Sequence, residues 1–281
     1  MVGASPKIRQ SEWKGAMYVY ALLFYAFLYV PIIVLVLLSF NDAQVMGFPL
    51  KGFTLRWYGE AFSGGRFMVA IGNSLLIGVA SAILGTLLGL SVCMGLRYRL
   101  PGRGVLIPLL LLPIITPGIV AGVILFVFFG SAGVRYGLWP AVLVAHVTWV
   151  LPFAFLTLYP RLHRFDQSLE EAAMDLGATP FVVFRRVVFP LIRPGVVATF
   201  LFAFTLSFDE FIRTLFLVGS QRTMPVQLWI LIQEEVAPFL PAVGVVIMIF
   251  TVSAAALGFV VSSRAGRLVA RSEAGRPLVN N

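Results

Sequence analysis

The chain alternates between long apolar segments and short polar ones. Six apolar segments are long enough to cross a bilayer as helices, which takes about 20 residues each. They cover residues 16–40, 67–96, 104–130, 138–159, 190–209 and 240–262. The pattern predicts an all-α, polytopic membrane protein. Its transmembrane domain covers residues 16–262, between an N-terminal segment (residues 1–15) and a C-terminal tail (residues 263–281).

The composition agrees with an integral membrane protein. Of the 281 residues, 59% are hydrophobic and 12% are charged, whereas soluble domains average about half and a quarter. The first apolar segment is longer than the hydrophobic part of a signal peptide and lacks an A-x-A cleavage site. We therefore expect it to stay in the protein as an uncleaved first span.

The basic residues predict the orientation of the spans, because loops rich in Lys and Arg stay on the cytoplasmic side. With the N-terminus inside, the cytoplasmic segments hold Lys7, Arg9, Lys14, Arg97, Arg99, Arg103, Arg161, Arg164, Arg185, Arg186, Arg193, Arg264, Arg267, Arg271 and Arg276. The other side holds Lys51, Arg56, Arg66, Arg135, Arg213 and Arg222. Both termini are thus predicted to be cytoplasmic. Because the basic residues lie between apolar runs, the net charge of +9 does not indicate nucleic-acid binding.

Glycine and proline residues mark the central spans. Gly85 and Gly89, and again Gly118 and Gly122, stand four residues apart, a spacing that lets helix backbones approach closely. Four prolines lack the backbone donor that a helix needs, and we expect them to interrupt spans three and four: Pro108, Pro113, Pro117 and Pro152. Spans three to five are therefore candidates to line a translocation path. The alternative is that the prolines only bend helices within the bundle.

The segment between the fourth and fifth spans is too polar to lie in lipid from Arg161 to Gly177. Leu169, Ala172, Ala173 and Leu176 follow the i, i+3, i+4, i+7 rule, which predicts a short helix at about residues 166–178 with one apolar stripe. Further signals predict its ends. Ser168 with Glu171 fits a capping box, Gly177 fits a C-terminal stop, and Thr179 with Pro180 fits the start of a second helix.

The same segment resembles a known signature. Glu171-Ala172-Ala173, then Gly177 after three residues, then Val187-x-Phe189-Pro190 after nine more, resembles the EAA motif of ABC importer permeases. Val187 and Phe189 stand where that motif has Ile and Leu. In that family the segment is the coupling helix that docks on the ATPase subunit. The resemblance implies ATPase coupling through Leu169, Glu171, Ala172, Ala173, Leu176 and Gly177.

A second resemblance extends over nearly the whole chain. Short segments in matching order are similar to the second membrane subunit of spermidine/putrescine-type permeases: Ser39-Phe40-Asn41, Phe53-Thr54-Leu55-Arg56-Trp57-Tyr58, Asn73-Ser74, Arg97-Tyr98-Arg99, His146, Leu151-Pro152-Phe153, Arg161-Leu162 and Ser207-Phe208-Asp209-Glu210. The fold that this implies is that of a type I ABC importer permease in a bacterial inner (plasma) membrane.

The resemblance also implies partners. They are two ATPase subunits, an extracytoplasmic substrate-binding protein and a second permease subunit, which is either a different protein or another copy of this chain. The sequence has no GxxxxGK phosphate loop. We therefore expect no enzymatic activity and no cofactor on this chain, with ATP and Mg²⁺ held by the ATPase.

Ionisable residues at membrane depth are candidates for substrate contact. Asp209 and Glu210 end the fifth span and are either a site for a polyamine ammonium group or interfacial charges paired with Arg213. Arg213 leaves a zwitterionic, opine-like or anionic substrate open. His146, Trp149 and Thr116 complete the candidate path. His146 is either a helix-to-helix hydrogen-bonding residue or a substrate contact, and Trp149 either stacks on a methylene chain or packs between helices.

The sequence contains no arrangement typical of a catalytic or metal site, since Cys93 is the sole cysteine and no nucleophile stands with a base. A secondary transporter and a membrane anchor for an enzyme remain as alternatives. The polar segment disfavours the first, and the proline-rich central spans disfavour the second.

Overall fold

The fold was analysed in a computed structural model, which describes residues 6–63, 65–97, 102–163, 165–234 and 237–274. This part of the chain is all-α apart from one β-bridge between Asn41 and Phe53. Its helices are α1 (Pro6–Ser39), α2 (Arg56–Ser63), α3 (Gly65–Arg97), α4 (Arg103–Ile115), α5 (Gly118–Ser131), α6 (Leu143–His163), α7 (Ser168–Asp175), α8 (Pro180–Val183), α9 (Phe189–Phe208), α10 (Ile212–Leu217), α11 (Met224–Glu234) and α12 (Leu240–Ala274). Tyr98, Arg99, Arg164 and Arg276, which were used in the sequence analysis, lie outside it.

The helices agree with six predicted spans. Five stretches are long and apolar enough to cross a membrane: Trp13–Ser39, Gly65–Arg97, Leu138–His163, Pro180–Phe208 and Leu240–Gly258. The sixth is the pair α4 and α5, which bends by 105° at Thr116 and Pro117. Counted as one broken span, this pair covers the third predicted segment.

One predicted boundary is wrong. The fifth span begins at Pro180, ten residues before the predicted start, because α8 runs into α9 through a π-helical turn at Phe184–Val188. The helix predicted to follow the polar segment is therefore the first part of that span. α12 begins at Leu240, the predicted start of the sixth span, and continues as a helix as far as Ala274.

Prolines break fewer helices than predicted. α4 continues through Pro108 and Pro113, and α6 continues through Pro152. The prediction was wrong at these three positions, because a membrane helix can continue past a missing N–H where other groups satisfy the freed carbonyl. Of the four positions, Pro117 coincides with a break.

The chain divides into two compact units. The first contains residues 1–64 and 231–248. In this unit the loop after α1 is organised around Asn41, whose carbonyl oxygen accepts a hydrogen bond from Trp57 Nε1 at 2.7 Å. The Asn41 side chain accepts a hydrogen bond from the Lys51 N–H at 2.9 Å. These bonds fold the loop back onto the end of α1.

The second unit contains residues 65–230 and 249–281 and is built on α3, α6 and α9. Gly85 and Gly89 of α3 approach Val150 and Ala154 of α6 in that order, so the two helices run in the same direction. Phe204 near the end of α9 lies against Gly78 of α3, while the start of α9 packs near Leu96. α9 therefore runs in the opposite direction, as alternating membrane spans require.

The glycine spacing has the predicted role for the first of the two pairs, Gly85 and Gly89. A Cβ atom at Gly85 would lie 2.7 Å from Val150 Cγ1, and one at Gly89 would lie 2.9 Å from Ala154 Cβ and 3.2 Å from the Ala154 carbonyl carbon. At Gly122 the same atom would lie 2.6 Å from Phe216. The contacts at Gly85 and Gly89 bring α3 close to the backbone of α6. Gly118 and Gly122 do not have this role, because the nearest atom to a Cβ at Gly118 would be 3.5 Å away on Ile212 and Gly122 faces the ring of Phe216.

Gly89→Ala should lower the thermal stability of the purified protein in detergent, because the new methyl group meets the backbone of α6 and overpacking costs about 1–3 kcal/mol. Gly72→Ala is the matched control on the same helix, since nothing lies within 4 Å of a Cβ atom there. Gly72→Ala should be neutral or stabilising. Equal melting temperatures for the two variants would contradict the packing.

Candidate functional site

The break in the third span opens into a cavity of about 550 Å³ in the second unit. Its wall consists of Ile114, Ile115, Thr116, Pro117, Gly118, Trp149, Asp209, Glu210, Phe211, Ile212 and Arg213. Five of the six residues named as candidate path residues from the sequence, all except His146, therefore surround one space.

The backbone at Thr116 and Pro117 shapes one side of this cavity. Thr116 is extended (ψ 123°), and both its N–H and its hydroxyl group donate to the Leu112 carbonyl oxygen, at 3.0 and 2.9 Å. Pro117 cannot donate, so the next helix begins afresh at Gly118. The C-terminal end of α4 and the N-terminal end of α5 thus both lie at the cavity, where their partial charges act on its contents.

Glu210 and Arg213 form a buried ion pair on the opposite side. Their side chains are 7% and 6% exposed, and Arg213 Nη1 lies 3.0 Å from Glu210 Oε2. The other carboxylate oxygen accepts the backbone N–H of Arg213 at 2.9 Å. The guanidinium group also lies 4.0 Å from the centre of the Trp149 ring. The pairing that the sequence left as an alternative is therefore present for Glu210.

Asp209 differs from its neighbour. It caps the end of α9 and is exposed. In the described part of the chain, no cation pairs with its carboxylate. Because Glu210 and Arg213 neutralise each other, Asp209 leaves the ionisable side chains of the cavity wall with a net charge of −1.

His146 does not line the cavity but is buried beside the turn between α9 and α10, only 1% exposed. Its Nδ1 lies 2.7 Å from Ser207 Oγ, and its Nε2 lies 2.7 Å from Thr214 Oγ1. The Thr214 hydroxyl group donates to the Glu210 carbonyl oxygen, which makes it the acceptor for an Nε2–H. His146 thus joins the two ends of the turn that carries Asp209 and Glu210, and the hydrogen-bonding role expected for it is confirmed.

The polar segment before the fifth span forms α7 at the other end of α3. A Schellman motif ends it: Gly177 has φ +83°, its N–H donates to Met174, and the Ala178 N–H donates to Ala173. The predicted C-terminal stop is confirmed. The predicted capping box is wrong, because α7 already contains Ser168 and no side chain caps it from Gln167. Instead, the Asp166 carboxylate accepts the Ser168 N–H at 3.0 Å.

Arg97, at the last turn of α3, holds α7 in place. Its guanidinium group pairs with the Glu170 carboxylate, and the two side chains are 8% and 15% exposed. The same group lies 5.1 Å from the centre of the Phe165 ring. Ala173 packs against the buried cluster that contains Leu96. A helix of two turns is marginal alone, so these contacts supply its order.

The predicted apolar stripe is therefore divided between two directions, which corrects the sequence analysis. Ala173 turns toward the protein, whereas Leu169, Ala172 and Leu176 are exposed, Leu176 to 90%. Glu171 and Gly177 are exposed as well. The outer surface of α7 is thus a mixed patch of apolar and acidic residues that no residue of the described chain covers.

Comparison with known proteins identifies the family. The chain matches binding-protein-dependent transport system inner membrane components over residues 81–272. It is 34% identical over 229 residues to the spermidine/putrescine transport system permease protein PotC of Escherichia coli K12, covering 81% of this chain and 86% of that one. The chain belongs to this family of ABC importer permeases.

Further comparisons agree with this permease assignment. The putrescine transport system permease protein PotI of Escherichia coli K12 is 34% identical to this chain over 254 residues. The match covers 86% of this chain and 88% of PotI. A crystal structure of a bacterial ABC transporter for the acidic polysaccharide alginate superposes with a TM-score of 0.65 at 15% identity, covering 94% of the permease and 97% of that chain. This second likeness shows the fold alone.

Two features of the permease site escaped the sequence analysis. The pairing of Arg97 with Glu170 joins residues far apart in the chain, and a charged residue at the end of a span had already been explained by membrane orientation. Ile114 and Ile115 are apolar, so no chemical signal distinguished them from other residues of the third span, and Gly118 was noted for helix packing and not for the cavity that it lines. Within the described residues, no group of three or more His, Cys, Asp or Glu side chains could hold a metal ion.

Glu210→Gln should destabilise the permease by about 3–5 kcal/mol, because it leaves the Arg213 guanidinium group buried without a counter-charge. Asp209→Asn, one residue away, should leave the melting temperature in detergent unchanged because its carboxylate is exposed. The double variant Glu210→Gln/Arg213→Gln should recover part of the loss. Equal melting temperatures for Glu210→Gln and Asp209→Asn would contradict the described ion pair.

Proposed function

We propose that this permease carries a polyamine of the spermidine or putrescine kind through the cavity bounded by Thr116, Trp149 and Asp209. The observation that carries this proposal is the charge of the cavity wall. Glu210 already neutralises Arg213, so Asp209 is the carboxylate left to attract a cation. The permeases PotC and PotI, which are named for spermidine and putrescine, are similar over most of the chain.

The chemistry of the cavity suits a flexible diammonium chain. An ammonium group that leaves water needs an anionic partner, which Asp209 supplies. The carbonyl end of α4 adds partial negative charge at the break in the third span and the N-terminal end of α5 adds partial positive charge, so Asp209 remains the group that attracts a cation. Trp149 and Ile115 offer apolar surface for the methylene groups between the charges. Both parts of a polyamine therefore find complementary groups.

A zwitterionic solute, such as an amino-acid-like or opine-like compound, is the second candidate. The observation that favours it is the presence of Arg213 in the same wall. A substrate carboxylate would have to displace Glu210 from the guanidinium group, in a pair whose side chains are 7% and 6% exposed. Because separating that pair costs free energy that an ammonium ligand for Asp209 does not require, the polyamine is the better match.

We further propose that both termini are cytoplasmic and that the permease lies in the bacterial inner membrane. Most of its Lys and Arg residues fall on the predicted inner side. The directions of the helices, with α3 and α6 parallel and α9 antiparallel to both, support one consistent assignment, in which the Arg97 end of α3 and the whole of α7 face the cytoplasm.

The exposed surface of α7 is the proposed docking site for the ATPase. It carries Leu169, Glu171, Ala172 and Leu176, and its apolar part would be buried by a partner. Two ATPase subunits would hold ATP and Mg²⁺, since the chain has no phosphate loop of its own. A second permease subunit and an extracytoplasmic binding protein complete the proposed importer. Closure of the ATPase would move α7 and switch the cavity between the two sides.

The direct test is uptake of radiolabelled spermidine by proteoliposomes that contain the assembled transporter, its binding protein and internal ATP. Asp209→Asn should weaken apparent affinity by about ten- to a hundredfold, because a hydrogen bond to a charged group is worth roughly 1.5–3 kcal/mol. Glu60→Gln, an acidic residue outside the cavity, is the control and should transport normally. Spermidine uptake that follows an ion gradient without ATP would contradict the proposal. So would equal apparent affinities for spermidine in the unmodified permease, Asp209→Asn and Glu60→Gln.

A further inference from the structure

A second cavity, of about 600 Å³, lies at the Gly65 end of α3. Six polar residues line it: Arg66, Asn73, Ser220, Gln221, Arg222 and Gln227. They come from the start of α3, the loop between α10 and α11, and the start of α11. The substrate path does not include any of them.

The loop that forms one wall is held firmly onto α3. Asn73 Nδ2 donates to the Arg222 carbonyl oxygen at 2.9 Å, and the Met224 N–H donates to Ser74 Oγ at 2.8 Å. Gly219 begins the loop with φ +60°, at a point where a Cβ atom would lie 2.9 Å from the Tyr136 carbonyl oxygen. The hydrogen bonds of Asn73 and Ser74 therefore fix the position of Arg222 relative to α3.

The cavity is basic. Its wall contains two guanidinium groups and no carboxylate. Arg222 lies 3.4 Å from the amide oxygen of Gln227, a side chain that is itself buried, and Arg66 is exposed. In the described chain no acidic residue pairs with either arginine. The site is thus built to receive negative charge from another molecule.

The position of the cavity limits what that molecule can be. α3 has 33 residues, so its ends lie roughly 50 Å apart. One end carries the cavity, and the other end pairs with α7 through Arg97 and Glu170. If α7 faces the cytoplasm, as the proposed function has it, then the cavity faces the exterior, where the binding protein meets the permease.

We propose that this cavity is a docking site for an acidic side chain of the extracytoplasmic binding protein. A carboxylate fits two guanidinium groups beside amide and hydroxyl donors. A polyamine does not, because its ammonium groups would be repelled. The site would therefore orient the binding protein on the permease without attracting the cationic cargo to a second position.

The test measures binding between the complete transporter in nanodiscs and the purified binding protein that supports its transport, at low and high salt. Arg66→Glu/Arg222→Glu should weaken this binding at least about tenfold at low salt, because like charges then oppose each other. High salt should reduce the difference in affinity between the unmodified transporter and the double variant, because it screens the charges. Saturating binding protein should restore transport. Arg135→Glu is the matched control, since this exposed arginine lies next to Tyr136, the residue that approaches Gly219.

The proposal would be overturned if the double variant bound the binding protein with unchanged affinity, or if Arg135→Glu lost as much affinity as the double variant. It would also be overturned if the loss of affinity depended on anionic lipid in the nanodisc. Reversal of one binding-protein carboxylate to arginine that restores binding only to the double variant would support it. Failure of the unmodified complex to use ATP for transport would instead reject the proposed function, so the two failures are distinguishable.

Discussion

The ion pair between Arg97 and Glu170 connects the polar segment of this permease to its membrane-spanning bundle. α7 has only eight residues and would not be stable as an isolated helix. Its order depends on that pair, on Ala173 packed against the cluster around Leu96, and on the Gly177 turn. The backbone of α3 lies directly against α6 at Gly85 and Gly89. A displacement of α7 would therefore be transmitted through α3 to α6, and these contacts form a short route into the bundle.

The α6 end of that route lies at the cavity proposed for the substrate. α6 carries Trp149 in the cavity wall and also carries His146, which holds together the turn that presents Asp209 and Glu210. The opposite wall is the break at Thr116 and Pro117. Irregular backbone at membrane depth is tolerated where protein or water satisfies it, so a break beside a polar cavity is physically consistent. Relative motion of α6, α9 and the broken span would therefore change the size of the cavity.

Much of this arrangement follows from the sequence, because each correct prediction rested on a local pattern. Apolar length predicted the spans, spacing predicted the contacts of Gly85 and Gly89, and Gly177 predicted the end of α7. The errors have a different origin. Sequence does not tell which of Pro108, Pro113 and Pro117 breaks a helix, since that depends on the neighbours that satisfy the freed carbonyl. Nor does helical periodicity show that Ala173 faces inward, because the cluster that it meets combines residues close in the chain, such as Val183, with Leu96 from the end of α3.

The most direct test of the account is the effect of Leu176→Asp on ATP hydrolysis by the purified complex. Leu176 is 90% exposed, so the substitution disturbs no packing within the permease. Leu55→Asp is the matched control, a leucine that is 70% exposed and is predicted to lie on the opposite side of the membrane. If α7 docks on the ATPase, Leu176→Asp should lower both the retention of ATPase subunits and substrate-stimulated hydrolysis by about tenfold, the loss expected from about 1.4 kcal/mol of contact energy. Normal hydrolysis by Leu176→Asp, or an equal defect in Leu55→Asp, would contradict it.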